Sequence, residues 1–201
     1  MRFFRPLFPA RLIFRDALFR IRSSEKTICL TFDDGPDPES TPGILSILDD
    51  LNVKAVFFCS GINAEKYPGL VNDIGNRGHI ACNHGYSHLN GWKTSVKRYC
   101  DDAEKAAVFV SGDLFRPPYG KIRLRQYYRL KNRFRIVFWE VMAFDFDTRV
   151  GPVKSLEILN TKIRPGSIIV LHDTSLSTCR VFLKEFIKTS LKEGYKFIVP
   201  F

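Results

Sequence analysis

The chain offers few cysteines at useful spacing, no long apolar run and a shortage of acid. Its five cysteines, at positions 29, 59, 82, 100 and 179, are scattered, odd in number and contain no C-x-x-C pair. That argues against a disulfide framework or zinc finger and points to a reducing compartment. Several lie in apolar runs, where a reduced Cys behaves as a small buried hydrophobe. Cys82 is near two histidines but reads better as a structural thiol than as a ligand. No segment approaches the roughly 20 apolar residues of a membrane-spanning helix. Residues 1–22 lack the unbroken apolar core of a secretory signal, because Arg5, Pro6, Pro9, Arg11, Arg15 and Arg20 interrupt every candidate. A cytoplasmic or membrane-peripheral location is therefore expected. Acidic residues number 21 against 31 basic ones, a net charge of +10, which favours anionic surroundings. With no zinc-finger spacing and no RNA-binding aromatic signature, nucleic acid is not the expected partner.

Low-complexity tracts and internal repeats are also missing, which leaves an ordinary globular chain. At 201 residues and 45% hydrophobic content, it is long enough for one well-buried domain. The expected division is a basic extension over 1–25 and a single domain over 26–201. The arginine-rich segment 1–22 has two readings. It packs outside the domain as a strap, or it lies on an anionic membrane with its Phe and Leu in the interface.

Short β-rich runs alternate with longer amphipathic stretches, the pattern of an α/β fold. Strands are expected at Thr27–Phe32, Ala55–Cys59, His79–Cys82, Leu114–Phe115, Ile136–Glu140, Ser167–Leu171 and Lys196–Val199. Helices are expected over Pro42–Leu51, Pro68–Arg77, Thr94–Val110, Leu124–Asn132, Val153–Ile163 and Thr178–Glu193, with Gly78 and Gly194 as C-terminal caps.

The polar chemistry falls at the strand ends. Asp33 and Asp34 follow the first strand, His84 and His88 the third, Arg116 the fourth, and His172 and Asp173 the sixth, while Asp145 comes shortly after the fifth. Strand C-termini of barrels and open α/β sheets open onto one face, so these residues would converge on one site. Adjacent carboxylates repel unless a cation sits beside them, although D-G-P is also a common turn. His84 and His88 are spaced to reach one ion at about 2.0–2.1 Å. With Asp34 they would hold a divalent ion, zinc or another transition ion such as cobalt, and leave a position open. Asp33 would then take a proton from water, and His172 would serve as general acid to a leaving group. Arg116 offers a fixed cation for a carboxylate. His79 reads as structural.

Together the segments Thr31-Phe32-Asp33-Asp34-Gly35-Pro36, His84–His88, Arg116-Pro117-Pro118-Tyr119-Gly120, Trp139 with Asp145, and Leu171-His172-Asp173 resemble the polysaccharide deacetylase family. These are the NodB-homology domains of carbohydrate esterase family 4. The resemblance runs from about Lys26 to the C-terminus and implies a distorted (β/α)7–8 barrel acting on an acetylated carbohydrate. It implies that Arg116 orients Asp33 and Asp145 tunes His172. Tyr119 would supply an oxyanion N–H, with Trp139 and Leu171 also at the substrate. Two positions depart from the family pattern. Gly85 stands where Ser or Thr is usual, and Phe146 stands where Trp is typical, with Asp147 nearby.

The leading expectation is an N-deacetylase of amino-sugar polymers. O-deacetylation on the same scaffold, a catalytically silent sugar-binding domain, and a basic membrane-docking protein are the alternatives.

Overall fold

The computed structural model describes residues 5, 6, 8–23 and 25–199, with Phe8 described by its backbone alone. The parts of the expected extension at 1–4, 7 and 24, and the last two residues of the domain, lie outside this set. A short helix α1 (Phe8–Ile13) precedes β1 (Thr27–Asp33), α2 (Thr41–Asp50), β2 (Val56–Cys59), α3 (Gly61–Lys66), α4 (Pro68–Asn76) and β3 (Ile80–Asn83). There follow α5 (Val96–Ala106), β4 (Leu114–Phe115), α6 (Leu124–Leu130), β5 (Arg135–Ile136), β6 (Val141–Met142), α7 (Gly151–Lys162), β7 (Ile168–His172), α8 (Cys179–Lys192) and β8 (Lys196–Phe197). Among the described residues no helix is long and apolar enough to cross a membrane.

The sheet runs β5-β4-β3-β2-β1-β7-β6, with β8 on β1, and every strand pairing is parallel. It is the distorted α/β barrel that the family pattern implies. β1 is buried at all seven positions, as a central strand with both faces covered must be. Successive side chains point to opposite faces. Ile28, Leu30 and Phe32 face outward into a cluster with Ile44, Leu48, Leu183 and Phe186 of α2 and α8. Cys29 faces inward, where it meets Val56, Phe58, Cys82, Leu114 and Ile168, a cluster drawn from strands on both sides of β1. This second group is the concave interior of the half-barrel.

The expected strand Ile136–Glu140 is not one strand. Residues 135–136 pair with β4, whereas residues 141–142 pair with β7 on the other edge of the sheet. The run between them therefore spans the opening of the half-barrel. Leu18 bridges Val137 there and Arg20 bridges Ser167. Phe19 is buried among Phe115, Phe134 and Phe138. The described residues before 26 are thus packed into the same unit. It is tied further by Arg5 Nε at 2.7 Å from Glu140 Oε1, and by a pair between Arg11 Nη2 and Glu140 Oε2. Arg164 Nη2 reaches the same carboxylate at 2.6 Å.

Helix ends follow local chemistry. Pro42 opens α2, and Gly78 and Gly194 take left-handed φ after α4 and α8. Ser95 caps α5 by accepting from the Arg98 N–H, so this helix starts two residues later than expected and ends at Ala106.

Candidate active site

Strand parity places the reactive groups. Along β1 the inward series Cys29, Thr31 ends on Asp33; in β3 Cys82 leads to His84, beyond β4 Leu114 leads to Arg116, and in β7 Val170 leads to His172. Each functional side chain extends the inward row by one step past the apolar interior. Asp33 and His172 are register partners on adjacent strands. Asp33, Asp34, His84, His88, Tyr119, Trp139 and His172 line one cleft of about 340 Å³, together with Lys121, Met142 and Phe146. Leu171 does not join them. It is one residue out of phase with His172, pairs with Phe32, and is fully buried in the outward cluster beneath the helices. The expected place of Leu171 at the substrate is corrected by that parity.

Asp33 is held by the fully buried Arg116, whose Nη1 donates to Asp33 Oδ1 at 2.6 Å and to Thr31 Oγ1 at 2.7 Å. Arg116 Nη2 donates to the Phe138 carbonyl at 3.1 Å, and its guanidinium lies 4.0 Å from the Phe58 ring. The second oxygen, Asp33 Oδ2, is 3.9 Å from His84 Nε2. Asp34 Oδ1 is 3.5 Å from His84 Nε2 and 3.1 Å from His88 Nε2. The ligand atoms of Asp34, His84 and His88 all fall within 4.8 Å of one another.

This set fits a divalent cation. His84 Nδ1 is 2.8 Å from the Arg116 carbonyl, a contact that places the proton on Nδ1 and leaves Nε2 as a lone pair facing Asp34. Burial pushes the His84 imidazole down to about 4, outweighing the Asp33 carboxylate, so the neutral, ligating form prevails at pH 7. Burial alone would raise the Asp34 carboxyl. The His88 hydrogen bond and the nearby imidazoles reverse this and hold it well below the carboxylate range. Asp34, His88 and Tyr119 all carry positive φ, at 76°, 51° and 59°. Such conformations are rare for residues with a Cβ and cluster at functional sites.

Across the cleft, His172 Nδ1 is 3.0 Å from Asp145 Oδ1. The other Asp145 oxygen accepts from the His172 backbone N–H at 2.7 Å and from Ser177 Oγ at 2.6 Å. Burial disfavours a charged His172. The Asp145 charge and hydrogen bond, with Asp34 and Asp33 behind them, outweigh burial and raise it to about 9. The Tyr119 turn is closed by bonds from Gly120 N to Pro117 O and Lys121 N to Pro118 O, which leave the Tyr119 N–H outside them. A Cβ on Gly120 would lie 2.5 Å from Trp139, so glycine is required for the turn to pack on the indole.

Two supporting residues, Asp102 and Asn83, carried no readable signal. Asp102 on α5 accepts from the backbone N–H of Tyr86 at 2.8 Å and of Ser87 at 3.1 Å. Asn83 Oδ1 accepts from Gly85 N at 2.8 Å. They fix the His84–His88 loop without a side chain at position 85. Gly85 itself has φ +76°, and a Cβ there would be 3.1 Å from Asp102 Oδ2. Asp173 donates its backbone N–H to the Asp33 carbonyl at 2.8 Å, and its carboxyl accepts from Thr41 Oγ1 at 2.6 Å. Cys82 lies in the interior with its thiol pushed up by burial. His79 Nδ1 accepts from Ala55 N at 3.2 Å, away from the cleft.

A half-barrel of parallel strands with its reactive groups at their C-terminal ends is the architecture of the carbohydrate esterase family 4 deacetylases. The polysaccharide deacetylase family model matches residues 20–132, more than half of the chain. A peptidoglycan-N-acetylglucosamine deacetylase of Bacillus cereus is 39% identical over 154 residues, covering 73% of this chain and 56% of that protein. The chain thus spans just over half of that relative's length. A solved peptidoglycan N-acetylglucosamine deacetylase, in complex with 4-naphthalen-1-yl-N-oxidanyl-benzamide, superposes with a TM-score of 0.86 at 32% identity. The match covers 96% of this chain and 94% of that one. A CE4 family pseudoenzyme from Bacillus anthracis superposes with a TM-score of 0.81 at 26% identity, over 89% of this chain and 65% of that one. The chain belongs to the polysaccharide deacetylase family.

Proposed function

We propose that the chain is a metal-dependent deacetylase that removes N-acetyl groups from an amino-sugar oligo- or polysaccharide. One observation carries the reading. Asp33 and His172, register partners on β1 and β7, set a proton acceptor and a proton donor beside the Asp34, His84, His88 triad. The similar peptidoglycan deacetylases support the substrate class.

The triad's nitrogen and oxygen donors suit zinc, with cobalt or another transition ion as alternatives, and such an ion supplies Lewis acidity toward water and carbonyl. Asp33 accepts the proton of the attacking water through the oxygen that Arg116 does not occupy. Arg116 fixes the carboxylate in that direction. The Tyr119 N–H would supply a preformed dipole to the oxygen that gains charge as water adds to the acetyl carbon. His172, kept protonated by Asp145, gives its proton to the sugar nitrogen as the C–N bond breaks, leaving acetate and a free amine. A silent sugar-binding domain needs neither Asp33 nor His172.

The test is an acetate-release screen over acetylated chitooligosaccharides, peptidoglycan fragments and acetylated xylan, with zinc, with cobalt and with chelator. Release from the N-acetylated substrates that chelator abolishes is expected. Release from xylan alone would move the reading to an O-deacetylase, and no release from any substrate would refute it.

A further inference from the structure

A second cavity adjoins the catalytic cleft. It is a groove of about 480 Å³ that shares Tyr119, Lys121 and Trp139 with the cleft. Its far wall is the N-terminal segment, through Ile13 and Phe14, and its floor and near rim include Trp92 and Leu124. Four of these side chains are unusually exposed for their type: Trp92 58%, Tyr119 59%, Leu124 49% and Ile13 47%. Contiguous apolar surface of this kind marks a binding site, and the volume is that of a small-molecule pocket. The wall is held in place, since Arg5 ahead of α1 and Arg11 within it both pair with the buried Glu140.

Charge completes the pattern. The Lys121 ammonium lies where groove and cleft meet, 5.3 Å from the Trp92 ring and 6.0 Å from the Tyr119 ring. A lysine serves an anionic oxygen as a point charge. A ligand spanning both cavities would be polar in the cleft, anionic at Lys121 and apolar beyond it.

We propose that the groove binds a long apolar chain joined through a phosphate to the amino sugar in the cleft, so that the substrate is an amphipathic glycosyl phosphate lipid. The sugar end of this inference rests on the deacetylase reading; the groove does not. Both tryptophans of the chain, Trp92 and Trp139, border the groove, so intrinsic fluorescence reports its occupancy without turnover.

The experiment titrates the protein with dodecyl phosphate below its micellar concentration. In parallel it compares acetate release from methyl N-acetylglucosaminide and from dodecyl-phosphate-linked N-acetylglucosamine. A saturable blue shift is expected, with kcat/KM at least about tenfold higher for the dodecyl substrate. Leu124→Glu places acid in the exposed first turn of α6, a position that tolerates it. It should abolish both the shift and the gain while leaving the methyl glycoside rate unchanged, and Ile13→Glu should do the same from the opposite wall. No fluorescence response, or a dodecyl advantage that survives both variants, overturns the proposal. A response to anionic phosphatidylglycerol vesicles but not to monomeric dodecyl phosphate also overturns it, and makes this face a membrane contact. A saturable shift with no acetate from either glycoside keeps the groove and removes the deacetylase reading.

Discussion

His172 and Asp145 carry the electrostatic argument at the scale of single residues. The imidazole is raised to about 9 against the pull of burial because Asp145 faces Nδ1 and Asp34 and Asp33 lie beyond it. A general acid works only while protonated, so the rate should fall as pH rises through the imidazole's value, which a cation at Asp34 sets below that of the metal-free protein. In Asp145→Asn the first opposing charge is gone, and the imidazole should titrate closer to its ordinary 6.5. The alkaline limb of the activity profile then moves toward neutrality, and NMR titration of His172 in the metal-free protein checks it independently. A cation bound at Asp34 cancels part of the same attraction, so zinc should lower the His172 value further. An unmoved limb in Asp145→Asn would remove Asp145 from the tuning role. Arg116→Met should also be severe. It leaves Asp33 buried without its partner, a loss of about 3–5 kcal/mol, read by chemical denaturation. Most residues of the candidate site were legible at this scale because they extend strands whose apolar runs are plain. Leu171 was misplaced because motif adjacency says nothing of strand parity. Asp102 and Asn83 escaped notice because an Asp in a polar helix and an Asn at a strand end look like surface and turn residues.

Among the elements, the N-terminal segment had two readings, a strap outside the domain or a stretch lying on a membrane. Arg5 and Arg11 turn inward to Glu140, whose side chain is fully buried. Leu18 and Arg20 add β-bridges across the gap between β5 and β7. Such pairings join residues more than a hundred positions apart, and no local periodicity encodes them. The same long-range pairing splits the expected strand at 136–140, because its ends pair with opposite edges of the sheet. The regular strands and the longer helices were legible for the opposite reason: their burial pattern repeats within a few residues, as in Ile44, Leu45 and Leu48 of α2. Glu140→Gln should weaken the clamp by about 1.5–3 kcal/mol, the range for hydrogen bonds to a charged group. Limited trypsin digestion should then cut at Arg11 and Arg15 well before the rest of the chain. Equal resistance in wild type and variant would show that the pairings of Leu18 and Arg20 hold the strap without Glu140.

At the scale of the whole molecule, the barrel's interior ends where its chemistry begins. An apolar inner cluster supports a ring of polar side chains, and that ring faces a cleft that shares its rim with an apolar groove. Composition and charge alone left several function classes open. Convergence of strand-end residues, made visible by the fold, is what supports the proposed hydrolytic reading. The measurement that bears most directly on this account is bound zinc per chain and acetate release, taken together on Asp33→Asn and His84→Ala. Asp33→Asn should keep one zinc per chain and lose about 100-fold or more in rate, as expected for removal of a general base, whereas His84→Ala should lose both zinc and activity. Wild-type turnover in Asp33→Asn, or full zinc occupancy in His84→Ala, would contradict it.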